Sequence, residues 1–323
     1  MTGLPPGAAV VLPGESSARA GALDVWLDDE PAREVAAEAS DVLGRDVVAW
    51  WGDPLNLSDP VVAHLAAVVT GVAGFRSLVS AGLRPVVVAG HGVGEYAALV
   101  AAGALPLDQV VALVEWRGEA LSHAPRPSCA GMAAVVGPGA GEVARSVVEE
   151  LGGTGKLAVA SIDGPGQVVL SGAREELARA RDAVLVAGLD LVRLPGRAAC
   201  HGPLMAPVAA HLSASFADLD WSVPDVPVVP NADAQPSRDP DRLARCLRRH
   251  LTSPVQWEAT SHALVETGAT WVVEIGPAPV LGPLIRQVHP DLPVHLASRP
   301  GLPVPTAHPE PALTGPAPTR GET

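Results

Sequence analysis

The chain has 323 residues, 48% apolar but only 3% aromatic, and a formal net charge of −13. That length accommodates one large domain with an insertion, or two domains, around a core of Val, Ala and Leu. The acidic balance argues against a nucleic-acid binder, which needs a basic face for phosphates. Cys129, Cys200 and Cys246 are too widely spaced to read as a metal site or a disulfide framework. Met1–Ala9 lacks the marks of a signal peptide, and no apolar run reads as membrane length. The expectation is a cytoplasmic protein with no metal and no bound cofactor.

Taken in order, Ala8–Leu12 reads as the first strand of a parallel sheet, followed by a Gly-containing loop through Glu15. Residues 31–43 carry a helical pattern, and Val61–Ala81 is a longer apolar helix ending at Gly82. Val86–Ala89 is a β-branched strand and Glu95–Ala102 an Ala- and Leu-rich helix. Between them, Gly90-His91-Gly92-Val93-Gly94 has the glycine frame of a nucleophile elbow, the turn that lifts a serine hydroxyl into a cleft. Here the middle position is Gly92. A glycine also tolerates the strained backbone of such a turn at no steric cost, so the position has a structural reading of its own. Leu107–Leu121 is a further helix, carrying Arg117-Gly118.

From Met132 the pattern changes to strand, helix, two strands, helix and strand, ending near Leu194, with Asp163–Gly166 read as a turn. That β-α-β-β-α-β order predicts a ferredoxin-like unit inserted into the larger domain. A loop Arg197–Met205 then leads into a helix. Val226–Val229 is a short strand and Pro240–His250 a helix. A further helix follows Trp257, and Trp271–Pro277 is a strand and turn. The predicted fold class is α/β: an α/β-hydrolase-like large domain with a parallel sheet, residues 1–130 and 197–297, and a ferredoxin-like subdomain, residues 131–196. Residues 298–323 read as a Pro-rich disordered tail.

With these segments set out, the chain resembles the malonyl-CoA:acyl-carrier-protein transacylases and the acyltransferase domains of polyketide synthases. The family's F-P-G-Q-G-S-Q opening appears as Leu12-Pro-Gly-Glu15-Ser-Ser-Ala18, and its G-H-S-x-G-E as Gly90-His-Gly92-Val-Gly-Glu95. The R-G pair is Arg117-Gly118, G-x-M ends at Met132, and N-G-P-x-Q is Asp163–Gln167. The A-x-H-S-x-L-M motif is Ala199-Cys-His201-Gly202-Pro-Leu-Met205. S-P-V-x-W and E-I-G-P stand at Ser253–Trp257 and Glu274–Pro277. The resemblance covers roughly residues 8–290, and motifs in one order are far more specific than any of them alone.

The resemblance implies a serine nucleophile, a histidine base and transfer of an acyl group from malonyl-CoA to the phosphopantetheine thiol of an acyl carrier protein, in fatty-acid or polyketide biosynthesis. It puts the base at His201 and the malonyl carboxylate on Arg117, whose planar fork suits that partner. It gives the oxyanion to the N–H of Val93, with a second contribution from the loop at Glu15. The departures cluster at the site: Gly92 for the nucleophile, Glu15 for glutamine, Gly202 for the serine after the histidine, and His250 for a frequent glutamine. Loss of the nucleophile in a serine hydrolase costs on the order of 10⁶ in kcat.

The expectation is therefore a non-catalytic or chemically altered relative that binds a carboxyacyl thioester, an acyl carrier protein or both. The candidate ligands are malonyl-CoA or another acyl-CoA, and a phosphopantetheinyl carrier protein. One alternative is an active acyltransferase or thioester hydrolase using water, or Cys200, with His201. Another is a purely structural partner of a synthase. Cys200 falls where the family lines its acyl pocket, and the small residues Ala198–Cys200 suggest a wider pocket. Arg242, Arg245 and Arg249 share one helical face, a candidate docking patch for an acidic carrier protein as well as an ordinary solvated face.

Overall fold

The fold is that of a computed structural model, which describes residues 5–122, 129–151, 153, 155–194, 198–213 and 215–301. The start of the loop at Arg197 and the tail beyond residue 301 lie outside the described residues.

Among the described residues, nine strands form two sheets. In the larger, β1 (Ala8–Leu12), β2 (Pro85–Gly90), β7 (Val228–Val229), β8 (Trp271–Ile275) and β9 (Val294–Ala297) run parallel in the order β7-β2-β1-β8-β9. Strand residues alternate between its two faces, so one short strand feeds two cores. Ala8, Val10 and Leu12 of β1 pack with α1 (Glu30–Leu43), α3 (Pro60–Ser80), α4 (Gly94–Ala101) and α5 (Leu107–Ser122). Ala9 and Val11 face the other way, against α10 (Trp257–Glu266) and α11 (Gly282–Val288). Small side chains let helices approach closely, which is how a core with so few aromatic rings fills its volume.

The central helix α3 illustrates how sequence sets an element. Asp59 caps it, its carboxylate accepting the Val61 N–H, and Pro60 occupies the first turn, where a missing N–H costs nothing. It ends where Gly82 takes φ +108°. At 21 residues and a mean hydropathy of 1.6, α3 is long and apolar enough to cross a bilayer, which corrects the expectation that no run reaches that length. In the fold 83% of that stretch is buried, as a core helix surrounded by α1, α4 and α5.

The smaller sheet, β4-β5-β3-β6, is antiparallel: β3 (Ala130–Val136), β4 (Leu157–Gly164), β5 (Gln167–Ala173) and β6 (Asp190–Leu194). Helices α6 (Ala140–Leu151) and α7 (Arg174–Val186) cover one face. With its chain order this is a ferredoxin-like subdomain. The turn expected over Asp163–Gly166 is tighter than predicted. β4 runs on through Gly164, which pairs with Gln167, so Asp163 is a strand residue. Two cross-links tie this sheet to the larger domain: Ile162 N–H donates to Val255 O at 2.9 Å, and Val255 N–H to Ala160 O at 2.9 Å.

Candidate functional site

The elbow follows from packing. β2 ends at Gly90, whose Cα pairs with that of Leu12, and α4 begins at Gly94. A Cβ on Gly90 would overlap the Gly94 carbonyl, and one on Gly94 would overlap the Leu12 carbonyl, so neither position admits a side chain. His91 N–H donates to Leu12 O at 3.0 Å, and Gly94 N–H to His91 O at 3.0 Å, closing the turn. At its tip Gly92 takes φ +55°, a left-handed backbone. Asn231 holds the turn from outside: its Oδ1 accepts the Gly92 N–H at 2.8 Å and its Nδ2 donates to Gly90 O at 2.6 Å.

His201 faces this tip. A Cβ built on Gly92 would lie 4.0 Å from His201 Nε2, with no nearer heavy atom outside its chain neighbours. His201 is itself left-handed at φ +61°, uncommon for a residue with a side chain and a form of strain found at functional sites. Its Nδ1 lies 2.7 Å from the carbonyl oxygen of His250. A carbonyl can only accept, so the proton is on Nδ1 and the lone pair is on Nε2, toward Gly92. Burial, and then the nearby Arg117 charge, push the imidazole down to about 3, so His201 is neutral at physiological pH.

Arg117 lies across the site on α5, 2% exposed, its guanidinium carbon 5.8 Å from the Tyr96 ring centre. One of its nitrogens, Nη1, is 3.2 Å from His64 Nδ1, and Nε has no partner. His64 is neutral, held well below its ordinary value by burial and then by Arg117. Nδ1 must therefore accept from Arg117, and the His64 proton sits on Nε2, 4.0 Å from Glu15 Oε2. Glu15, expected beside the oxyanion, thus faces neutral His64, which stands between it and the Arg117 guanidinium. The loop itself does lie against the elbow, for a Cβ on Gly14 would be 3.6 Å from the Val93 nitrogen. That Val93 N–H has no acceptor among the described residues and heads α4, where the helix dipole favours negative charge.

His250, expected to touch substrate, sits behind the base instead. The residue is 1% exposed, its ring tilted between those of Tyr96 and His201 with centroids 5.4 and 5.0 Å away. Its carbonyl, rather than its side chain, orients His201. Both ring nitrogens lack partners, and Nε2 is 4.0 Å from Glu95 Oε2, which also lacks one. Burial raises the Glu95 carboxyl to about 8 and holds His250 well below its usual value, so both are neutral near pH 7.

Gly202 is explained by its neighbour. A Cβ there would come 2.5 Å from Ser171 Oγ, so the hydroxyl of β5 occupies the space a side chain would need. Cys200 packs among apolar residues of both domains. Of the four arginines on α9 (Pro240–Arg249), Arg242 is tied to Asp233 at 2.8 Å, while Arg245, Arg248 and Arg249 are exposed. The patch is thus smaller than the spacing implied and shifted toward the helix C-terminus. An open groove of about 410 Å³ between α6 and α7 is lined by none of these groups.

Sequence reasoning missed Asn231, His64 and the His91–Asp163 contact. His91 Nε2 lies 2.9 Å from Asp163 Oδ1, and Gln167 donates to Oδ2 at 2.8 Å. Burial would raise the Asp163 carboxyl, but the bonds from His91, Ser161 and Gln167 outweigh it and hold it below the ordinary range. This bond joins the elbow to the small subdomain.

The elbow, the aimed histidine and the buried arginine thus lie together, and comparison with known proteins gives the family. Residues 32–295 match the acyl transferase domain. The chain belongs to that family. It is 33% identical over 285 residues to the malonyl CoA-acyl carrier protein transacylase of Salmonella typhimurium, covering 87% of this chain and 92% of that one. The Bacillus subtilis protein of the same description is 31% identical over 286 residues, covering 87% and 90%. Among solved structures, the transacylase of Coxiella burnetii superposes with a TM-score of 0.87 at 30% identity, over 93% of this chain and 96% of that one. A malonyl-transacylase solved with its type II PKS acyl-carrier protein superposes at 0.86 with 30% identity, over 91% and 96%. The acyl transferase fold, with its parallel sheet and ferredoxin-like subdomain, is therefore the fold of this chain.

Proposed function

We propose that this acyl transferase homologue binds a carboxyacyl thioester, carried by coenzyme A or by the phosphopantetheine arm of an acyl carrier protein, without forming a serine ester. The observation that carries the reading is Arg117: a buried guanidinium whose Nε lacks a partner, across the site from a glycine at the elbow. A buried guanidinium N–H without an acceptor is costly, and a ligand carboxylate relieves it. The relatives are described as malonyl CoA-acyl carrier protein transacylases, which supports a malonyl-like acyl group and a carrier-protein partner. The exposed Arg245 and Arg249 offer cationic contacts to an acidic carrier.

The test is calorimetric titration with malonyl-CoA. Wild type is expected to bind and Arg117→Ala to bind at least ~10-fold more weakly, the loss of one charge-assisted pair. Equal affinities, or no binding by either, reject the reading. Intact mass after incubation is expected to show no malonyl adduct.

A further inference from the structure

We propose that the site hydrolyses carboxyacyl thioesters directly, with water in place of a protein nucleophile and His201 Nε2 as its base. This rests on the binding reading above and adds an activity to it. Three features carry it. The Cβ direction of Gly92 opens onto space bounded by His201 Nε2 at 4.0 Å, so a small oxygen nucleophile fits beside the imidazole. The Nδ1–H bond to the His250 carbonyl at 2.7 Å fixes the tautomer, leaving Nε2 as the only ring atom able to take a proton. The Val93 N–H, without an acceptor among the described residues, stands on the adjacent residue, while the Gly92 N–H is already committed to Asn231.

The step balances. The water oxygen forms a bond to the thioester carbonyl carbon as one water proton passes to His201 Nε2. The carbonyl oxygen becomes an oxyanion, which the Val93 N–H stabilises. Collapse of the tetrahedral species breaks the C–S bond, and the electron pair leaves on sulfur. The imidazolium returns its proton to the thiolate. Water and thioester give a carboxylic acid and a free thiol, and no other co-reactant is consumed.

Arg117 gives the reaction its selectivity. Its positive charge opposes an imidazolium on His201, which is one reason the base is so weak in the free protein. A substrate carboxylate on Arg117 offsets that charge, so the base strengthens when a carboxyacyl group is bound. A neutral acyl group leaves it weak. The preference for malonyl over acetyl thioesters therefore shows in kcat as well as in KM.

The experiment follows thiol release from malonyl-CoA with a chromogenic thiol reagent, alongside intact mass of the protein. Wild type is expected to release thiol well above the protein-free rate with no acyl adduct. His201→Ala is expected to lower release by ~10²-fold or more, the range of a general base. Gly92→Ala, which puts a methyl group into the space beside Nε2, lowers it as well. Acetyl-CoA is expected to turn over at least ~10-fold more slowly in kcat, within the same range. Release at the protein-free rate, release untouched by His201→Ala, or a covalent malonyl adduct during turnover overturns the proposal. Equal kcat for the two thioesters overturns the part given to Arg117. Calorimetry on His201→Ala separates the two readings: malonyl-CoA binding there, with no release by wild type, ends the hydrolysis proposal alone. Absence of malonyl-CoA binding by wild type as well ends both.

Discussion

Gly92 stands at the elbow and Glu15 follows Gly14 on the loop packed against it, so substitutions at the two are expected to be coupled. Restoring a hydroxyl by Gly92→Ser puts its Cβ 4.0 Å from His201 Nε2, close enough for the hydroxyl to approach the base. It also places a side chain at φ +55°, at a stability cost of about 1–2 kcal/mol. Acylation of the single variant by malonyl-CoA is expected to be weak. The Glu15 carboxylate remains beside the loop that flanks the Val93 N–H, and a tetrahedral oxyanion formed there meets a like charge. An oxyanion-hole donor is worth roughly 2.7–4 kcal/mol, so an opposing carboxylate weighs on the same scale. Gly92→Ser with Glu15→Gln is expected to give more malonyl adduct by mass spectrometry than the single variants predict together. Through His64 the change also relieves Arg117 of an internal anion, strengthening its hold on malonate. Adduct equal to that of Gly92→Ser alone would show that Glu15 does not reach the reacting carbonyl.

At the scale of elements, the loop carrying His201 fits closely against β5. Gly202→Ser drives a Cβ to 2.5 Å from Ser171 Oγ, and overpacking of this kind costs about 1–3 kcal/mol. Urea unfolding is expected to show that loss, and Ser171→Ala to recover most of it in the double variant. Independent, additive effects would mean that the two residues do not share the space. On α9, Arg245→Ala with Arg249→Ala is expected to weaken carrier-protein binding, and the difference should shrink as salt rises. Undiminished binding at low salt would dismiss the patch. The elements that carried strong periodicity or glycine punctuation, α1, α3, the elbow and the β-α-β-β-α-β run, were legible in the chain. Short ones were not: α2 (Val47–Gly52), α11 and β9 are too brief to display a period. The site was legible only where it follows a motif. Gly92, Arg117 and His201 stand within motifs, whereas Asn231 and His64 join the site from distant elements, with no local signal to mark them. Glu95 and Asp163 are motif positions whose partners, His250 and His91, are set by tertiary packing. The substitution at Gly202 became intelligible only when Ser171 was seen across from it.

The whole molecule inherits a pH dependence from how much titratable chemistry it buries around one site. His64, His201 and His250 are all held below the ordinary histidine value of 6.5, chiefly by burial. The unfolded chain therefore binds more protons than the folded one as pH falls below 6.5. Their contribution to stability is complete above that pH and is lost as pH drops toward the folded values, about 3 for His201. Glu95 works in the opposite sense. Burial raises it from 4.5 to about 8, so the folded state keeps a proton that the unfolded chain releases. Its contribution is complete below 4.5 and is lost as pH rises through 8. Glu274, also raised by burial, leans the same way as Glu95, while His289 and His295, both lowered by burial, lean with the site histidines. Between pH 8 and 6.5 the carboxyls dominate and stability rises as pH falls, by at most about 1.4 kcal/mol per pH unit for each group. Below 6.5 the histidines outnumber them and stability falls. Urea unfolding at pH 5, 6.5 and 8 is expected to give the highest free energy at the middle value. Glu95→Gln is expected to flatten the limb above pH 6.5, and His250→Gln to make the limb below it shallower by about one proton. Stability that keeps increasing from pH 6.5 down to 5 would mean that these histidines are charged in the folded protein. In that case His201 Nε2 would carry a proton at neutral pH and have no lone pair to offer a nucleophile.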